Sequence, residues 1–237
     1  GRIAEVGRGT LRVSGLSSGT GLGDRVLIHG KAGTLGGEVL RLSRDGLTIL
    51  PDGSSEGLAM GDAVELVGRA EIAPDDSWIG RIIDPFGKPL DGRPLYRGAV
   101  ARSLRENAPA AATRRRLGER LATGVAVFDT LLPLVRGQRI GLFAGSGVGK
   151  SSLLAKFARG VTADVVVIAL VGERGRELRE FTDRVLGPQG MARSVVVTAT
   201  SDQSPLIRRR CAWTAMAVAE HFRDQGLHVL LLADSIT

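Results

Sequence analysis

The spacing of apolar residues changes rhythm once along this chain. Up to about residue 70, short segments alternate apolar and polar positions, as in Val39-Leu40-Arg41-Leu42 and Val64-Glu65-Leu66-Val67. Period two is that of a strand with one buried face. The strands expected are Ile3 to Val6, Thr10 to Val13, Arg25 to Ile28, Glu38 to Leu42, Leu47 to Leu50 and Ala63 to Val67, separated by Gly, Ser and Asp turns. Regular spacing of this kind predicts a small β-barrel or sandwich. From residue 138 onward, strand-length apolar runs alternate with helix-spaced segments. Strands are expected at Arg139 to Phe143, Asp164 to Val171, Ser194 to Thr198 and His228 to Leu232, and helices at Lys150 to Arg159, Arg174 to Leu186 and Pro205 to Gln225. Such alternation predicts a mainly parallel sheet with helices on its faces, an α/β domain. The last helix carries the clearest limits: Ser204 as N-cap, Pro205 at the first helical position, Gly226 past the end. Ile207, Cys211, Thr214, Val218 and Phe222 share one face of it at helical spacing and read as core.

Between these blocks, residues 71–137 are transitional. Ile79 to Ile83 reads as a strand, and Asp84-Pro85-Phe86-Gly87-Lys88-Pro89-Leu90-Asp91-Gly92 as two turns. Ala108 to Ala112 and the arginines after it are irregular, and Thr123 to Pro133 reads as a turn and a short helix. Two domains are therefore expected, 1–70 as the barrel and 71–237 as the α/β domain with its connector.

The most informative stretch sits where an apolar run meets a helix. Phe143-Ala144-Gly145-Ser146-Gly147-Val148-Gly149-Lys150-Ser151-Ser152 is a glycine-rich turn followed by Lys-Ser, the pattern of a phosphate-binding P-loop. Glycines let backbone N–H groups converge on phosphate oxygens, and the helix that follows points its positive end at the same anion. Lys150 is the candidate for the β- and γ-phosphates and Ser151 for Mg²⁺. The pattern's usual first glycine is Ala144 here, which fits if its φ is negative. A P-loop needs a second acidic group for the metal. His228-Val229-Leu230-Leu231-Leu232-Ala233-Asp234 supplies one at the end of a buried strand, the Walker B pattern, with Asp234 as the second metal candidate. A third group lies at the same sheet edge, in Gly172-Glu173-Arg174-Gly175-Arg176-Glu177. There Glu173 could polarise a water and Arg174 could meet the γ-phosphate, or Glu173 could be a helix-start carboxylate favouring the dipole; residue chemistry leaves both open.

Composition narrows the class. With 43% apolar and 24% charged residues, wholesale disorder is excluded. The longest apolar run, Val165 to Val171, is far short of a spanning helix, and no leader peptide precedes the first strand, although Gly1 suggests a trimmed start. A single cysteine, Cys211, excludes an internal disulfide framework and suits a reducing cytosol. His29, His221 and His228 show no ligand spacing. The net charge is +7, yet residues 1–70 carry eight basic and eight acidic side chains, so the excess lies beyond them. It concentrates in Arg102, Arg105, Arg114, Arg115, Arg116 and Arg120, and in Arg208-Arg209-Arg210. Solvated faces, subunit contacts and attraction to acidic partners or anionic lipid are all open readings. No Phe, Tyr or Trp precedes Trp78, so the barrel lacks the stacking platform of single-strand nucleic-acid binders, and no nucleic-acid partner is expected.

Taken together, Ala144 to Ser151, the Gly172 to Glu177 stretch, Arg136-Gly137-Gln138-Arg139 and Leu232-Ala233-Asp234-Ser235 resemble the catalytic subunits of rotary ATPases. Phe-Ala-Gly-Ser-Gly-Val-Gly-Lys-Ser resembles the type III export branch, in which alanine at the position of Ala144 is usual. Ala199 to Arg209 and Ala217 to Gly226 look most like the flagellum-specific ATPases, with the virulence secretion ATPases close by. The similarity covers nearly the whole chain. It implies a RecA-like P-loop domain behind an N-terminal barrel, a homohexameric ring, ATP and Mg²⁺ as cofactors, and a phosphate cradle of Ala144 to Ser152. By position it makes Lys150 and Ser151 the phosphate and Mg²⁺ residues, Glu173 the catalytic carboxylate, Arg174 its phosphate-side neighbour and Asp234 the Walker B acid. It further implies flagellar export proteins, export substrates and their chaperones as partners, and a cytoplasmic protein in peripheral contact with an inner-membrane export gate. Family members continue past Walker B with more strands, a trans-acting arginine finger, an adenine pocket and a helical domain, so the chain reads as a fragment expected to hydrolyse ATP weakly or not at all. Two rivals remain, a hexameric nucleic-acid motor and a non-catalytic nucleotide-binding subunit. The neutral, aromatic-free barrel argues against the first, and intact Lys150, Ser151 and Glu173 against the second.

Overall fold

The computed structural model describes residues 1–7, 9–16, 19–145 and 147–234. They divide into two compact units, residues 1–71 with 204–207, and residues 72–203 with 208–237.

The first unit is a closed barrel of β1 (Arg2–Val6), β2 (Leu11–Ser14), β3 (Arg25–Gly30), β4 (Gly33–Ser43), β5 (Gly46–Pro51) and β6 (Ala63–Gly68), in the order β1-β2-β5-β4-β3-β6 with antiparallel neighbours. The alternation read from the sequence is the inside–outside pattern of β2, β3 and β6; in β4 it fails, because Glu38 and Val39 are buried side by side and Leu40 and Leu42 are exposed where the register shifts. Leu11, Val13, Val26, Ile28, Val39, Leu47, Ile49 and Val64 fill one interior cluster with Ile3. Closure leaves no open edge for stray pairing. Arg25 and Asp52 form a bidentate ion pair on β3 and the end of β5, both side chains largely buried.

The second unit contains the two-residue strands β9 (Arg102–Ser103), β10 (Arg120–Leu121) and β11 (Leu134–Val135), and β7 (Glu71–Ile72) falls on the division between the units. Its core sheet is parallel and four-stranded, in the order β14 (Val229–Asp234), β12 (Val165–Glu173), β13 (Ser194–Thr200), β8 (Arg81–Ile83). Strands β12 and β13 are buried residue after residue, because a parallel sheet covered on both faces leaves no polar side to alternate with. Val166, Ile168, Leu170 and Val196 pack under α2 (Lys150–Gly160), whose Leu154, Ala155, Phe157 and Ala158 face them. The opposite parity belongs to α5 (Pro205–Asp224), where the Cys211 thiol lies 3.4 Å from the Val197 carbonyl. The face expected on α5 is the buried one: Cys211, Thr214, Val218 and Phe222 are fully enclosed and Ile207 nearly so. Ser204 Oγ accepts from Ile207 N at 3.4 Å, at the expected start. The short helix before the P-loop is α1 (Ala126–Thr130).

Three expectations change. The Arg174 to Leu186 helix is α3 (Gly175–Glu180) followed by a wider π-type turn over Phe181–Leu186 and then α4 (Gly187–Met191). Thr182 Oγ1 donates back to the carbonyls of Leu178 and Arg179, a side-chain bond that competes with the helical ladder, and Pro188 lacks the N–H to continue it. Arg139 to Phe143, expected as the strand entering the P-loop, joins no ladder, and Phe143 is 98% exposed. An apolar run becomes a strand only where a neighbour meets its backbone groups; among the described residues, β14 is the edge of the sheet and this segment does not extend it. Conversely, the strand around Ile79 to Ile83, placed by its sequence in a connector, is β8 of the core sheet, paired in parallel with β13.

Candidate functional site

Helix α2 starts at Lys150, directly after the glycine-rich turn. Its N-cap is Gly149 at φ +93°, and Gly147 stands at φ +79°. Both lie in the left-handed region that a side chain resists, so the turn depends on glycine at these two places. No described non-glycine residue has positive φ, which meets the condition set for Ala144. A Cβ built on Gly145, Gly147 or Gly149 would meet nothing within 4 Å, so the loop borders open space with Val148 exposed on it. Ser146 and Ser235 lie outside the described residues. Ser152 is exposed on the first turn of α2.

Asp234 closes β14 and is 3% exposed. Lys150 Nζ stands 3.2 Å from its Oδ1, and Ser151 Oγ donates to its Oδ2 at 3.2 Å. Adjacent Lys150 and Ser151 thus share one carboxylate, which lies 83 positions from Ser151 along the chain. Ser151 and Asp234 together offer hard oxygen donors of the type Mg²⁺ takes, with a lysine beside them for phosphate.

Glu173 reaches the same face through a break in strand register. Leu170 pairs with both Thr198 and Asp234, and Val171 pairs with Ala199, but Thr200 then pairs with Glu173 rather than with Gly172. Gly172, at φ +83°, is the extra residue of a β-bulge. Without it, alternation would turn Glu173 toward the α5 side. With it, Glu173 falls on the side of Leu170 and Asp234, where α2 begins. Bulges beside functional sites re-aim a side chain in this way. Ser201 N donates to the Glu173 carbonyl at 3.0 Å and fixes the shifted register.

The Glu173 carboxyl is held above its ordinary range, first by burial, then by a hydrogen bond with the Glu177 carboxyl, then by the negative charges of Asp234 and Glu177; Lys150 opposes them. Glu177 is held low, chiefly by that same hydrogen bond, so the two carboxyls are pushed in opposite directions by one contact. Arg174 is 65% exposed, pairs with Glu177 at 3.5 Å, and has no bond to the P-loop among the described residues.

Sequence spacing alone found Lys150, Ser151 and Asp234. It assigns no part to Glu177, and it does not reveal the bulge, for which a glycine inside a strand was the signal. The arginine clusters are mixed. Arg102 pairs with Asp224 at 2.7 Å, Arg105 and Arg209 lie over the Trp213 ring at 4.5 and 4.8 Å, and Arg210 is buried against Phe86. Arg114, Arg115 and Arg116 are exposed.

Residues 124–237 match the family model of the ATP synthase alpha/beta family, nucleotide-binding domain. A flagellum-specific ATP synthase of Agrobacterium fabrum is 46% identical over all of this chain and 50% of its own length. A type 3 secretion system ATPase of Xanthomonas euvesicatoria is 43% identical over all of this chain and 54% of its own. The solved structure of the assembled ATPase EscN in complex with its central stalk EscO, from the enteropathogenic E. coli type III secretion system, superposes with a TM-score of 0.89 at 35% identity, over 99% of this chain and 57% of that one. The chain spans about half the length of the curated relatives it matches.

Proposed function

From a chain that is homologous over its whole length to the flagellum-specific ATP synthases and type 3 secretion ATPases, we propose that this protein carries the phosphate-binding half of an ATPase site that drives flagellar protein export. The observation that carries the reading is the convergence of Lys150, Ser151 and Glu173 around Asp234 on one face of the sheet. The P-loop amides and the start of α2 bind the triphosphate, and Lys150 leaves Asp234 to neutralise its β- and γ-oxygens. Ser151 and Asp234 would hold Mg²⁺, which would supply charge neutralisation at the phosphates. Glu173 orients the attacking water through its carboxylate once Lys150 and the nucleotide reorganise the pair with Glu177. Arg174 turns from Glu177 to the γ-phosphate.

Assembly is part of the proposal. EscN is described as an assembled ATPase with a central stalk, and a ring of this protein would complete each site with groups from a neighbouring subunit. Export substrates and their chaperones are the proposed clients. The proposed setting is the cytoplasmic side of an inner-membrane export gate. No helix among the described residues is long and apolar enough to cross a membrane. Type III virulence secretion is the second reading, favoured by the full-chain match to the Xanthomonas ATPase; loss of motility on gene deletion supports the flagellar one, and loss of effector secretion with motility intact supports the other.

The test of the chemistry uses the full-length protein. Glu173→Gln is expected to lower kcat by about 10²- to 10⁴-fold and to leave nucleotide affinity within about threefold, while Lys150→Ala loses both. Hydrolysis at the parent rate in Glu173→Gln would remove Glu173 from the mechanism.

A further inference from the structure

The feature that aims Glu173 is itself braced from behind. Arg208, in the first turn of α5, packs its side chain on Gly172: a Cβ placed on that glycine would lie 3.5 Å from Arg208 Cδ and 3.7 Å from Nη1. Its Nε is buried and has no hydrogen-bond partner among the described residues. A buried donor without a partner is unfavourable, so the side chain is held there by its packing rather than by a bond from that nitrogen. The extra residue of a bulge falls out of the ladder and has no strand neighbour to fix it. Slipping back by one position would restore Gly172 opposite Thr200 and turn Glu173 away from Lys150 and Asp234. Arg208 is the side chain that lies against Gly172 at this point.

We propose that Arg208 is a positioning residue: it wedges the Gly172 bulge in the shifted register and so keeps the Glu173 carboxylate on the P-loop face. It touches neither nucleotide nor water in this role, and its effect on turnover passes through Glu173. The inference rests on the proposed role of Glu173 for its kinetic consequence, but not for its structural one.

Two measurements on the full-length protein separate these. The first is hydrogen exchange at the Ser201 amide, whose bond to the Glu173 carbonyl exists only in the bulged register. In Arg208→Ala this amide is expected to exchange about tenfold faster, the loss of one net hydrogen bond, with the barrel unchanged. The second is steady-state hydrolysis. Arg208→Ala is expected to lower kcat by about 10²-fold, the scale of a small misplacement of a reacting group, with ATP affinity within about twofold. Adding Arg208→Ala to Glu173→Gln should then cost less than about twofold more, because two groups acting as a unit are not additive. Arg208→Lys, which keeps the stem and a cation, should recover most of the exchange protection and turnover, and Arg208→Met less. These two variants carry the comparison if Arg208→Ala does not fold. Unchanged exchange at Ser201 overturns the proposal whatever the kinetics. A parallel fall in kcat and ATP affinity, or losses additive with Glu173→Gln, also overturns it by giving Arg208 a direct or general role. Faster exchange in a protein whose parent shows no ATPase activity upholds the wedge and removes the function instead.

Discussion

The contact between Lys150 and Asp234 implies a measurable competition. In the structure the lysine is not poised in open space; it is paired with the carboxylate that would share the metal. At 3.2 Å and an effective dielectric of about 20, the raw attraction is about 5 kcal/mol. Lys150 is 35% exposed, so solvent screens the pair, and burying Asp234 has its own desolvation cost. Partly exposed pairs of this kind retain about 1 kcal/mol net, which is about fivefold in a binding constant. Phosphate must therefore win Lys150 from Asp234 before it is bound. Asp234→Ala should release the lysine and raise affinity for nucleotide in EDTA by about fivefold, while abolishing the further tightening produced by Mg²⁺. Titration of a fluorescent ATP analogue with and without Mg²⁺ measures both effects in one protein, with thermal unfolding to verify that the variant is folded. Equal or weaker binding in EDTA refutes the competition, and a surviving Mg²⁺ effect refutes Asp234 as a metal ligand.

Two further outcomes follow from groups away from the site. The Arg81 guanidinium, bonded to both oxygens of Asp91, holds that carboxyl well below the usual carboxylate range. A depressed pKa contributes stability that is complete above the unfolded value near 4 and is lost as pH falls below it. Asp91→Asn, which leaves the nearly buried Arg81 without its counter-charge, should cost about 3–5 kcal/mol at pH 7 and flatten the fall in stability between pH 5 and pH 3, as read by urea unfolding; an unchanged midpoint at pH 7 contradicts it. Burial pushes the Cys211 thiol up to about 12, so thiol reagents at pH 8 should leave the native 237-residue chain unmodified and label one group after denaturation; rapid native labelling would mean that α5 opens away from the sheet.

Much of this molecule is local pattern. Period two was legible in β2, β3 and β6 because those strands have one dry face and one wet face. The buried stripe of α5, its Ser204 and Pro205 start, and the runs that became β12, β13 and β14 were legible because burial on a helix or a parallel strand leaves a periodic trace. That Lys150, Ser151 and Asp234 meet was foreseeable from residue types and spacing that match a P-loop pattern and a carboxylate at the end of an apolar strand. What the sequence could not determine is whatever depends on a neighbour. Arg139 to Phe143 has the apolar content of a strand, yet a strand exists only where another backbone meets it. The strand at Arg81–Ile83 was legible as a strand, but its place in the core sheet was not, because that depends on β13 offering its edge. Above all, the side toward which Glu173 points depends on one residue of register between β12 and β13, set by Gly172 and filled from behind by Arg208. Periodicity records whether a residue is buried; register and facing are decided between segments distant in sequence, and only the tertiary structure contains both.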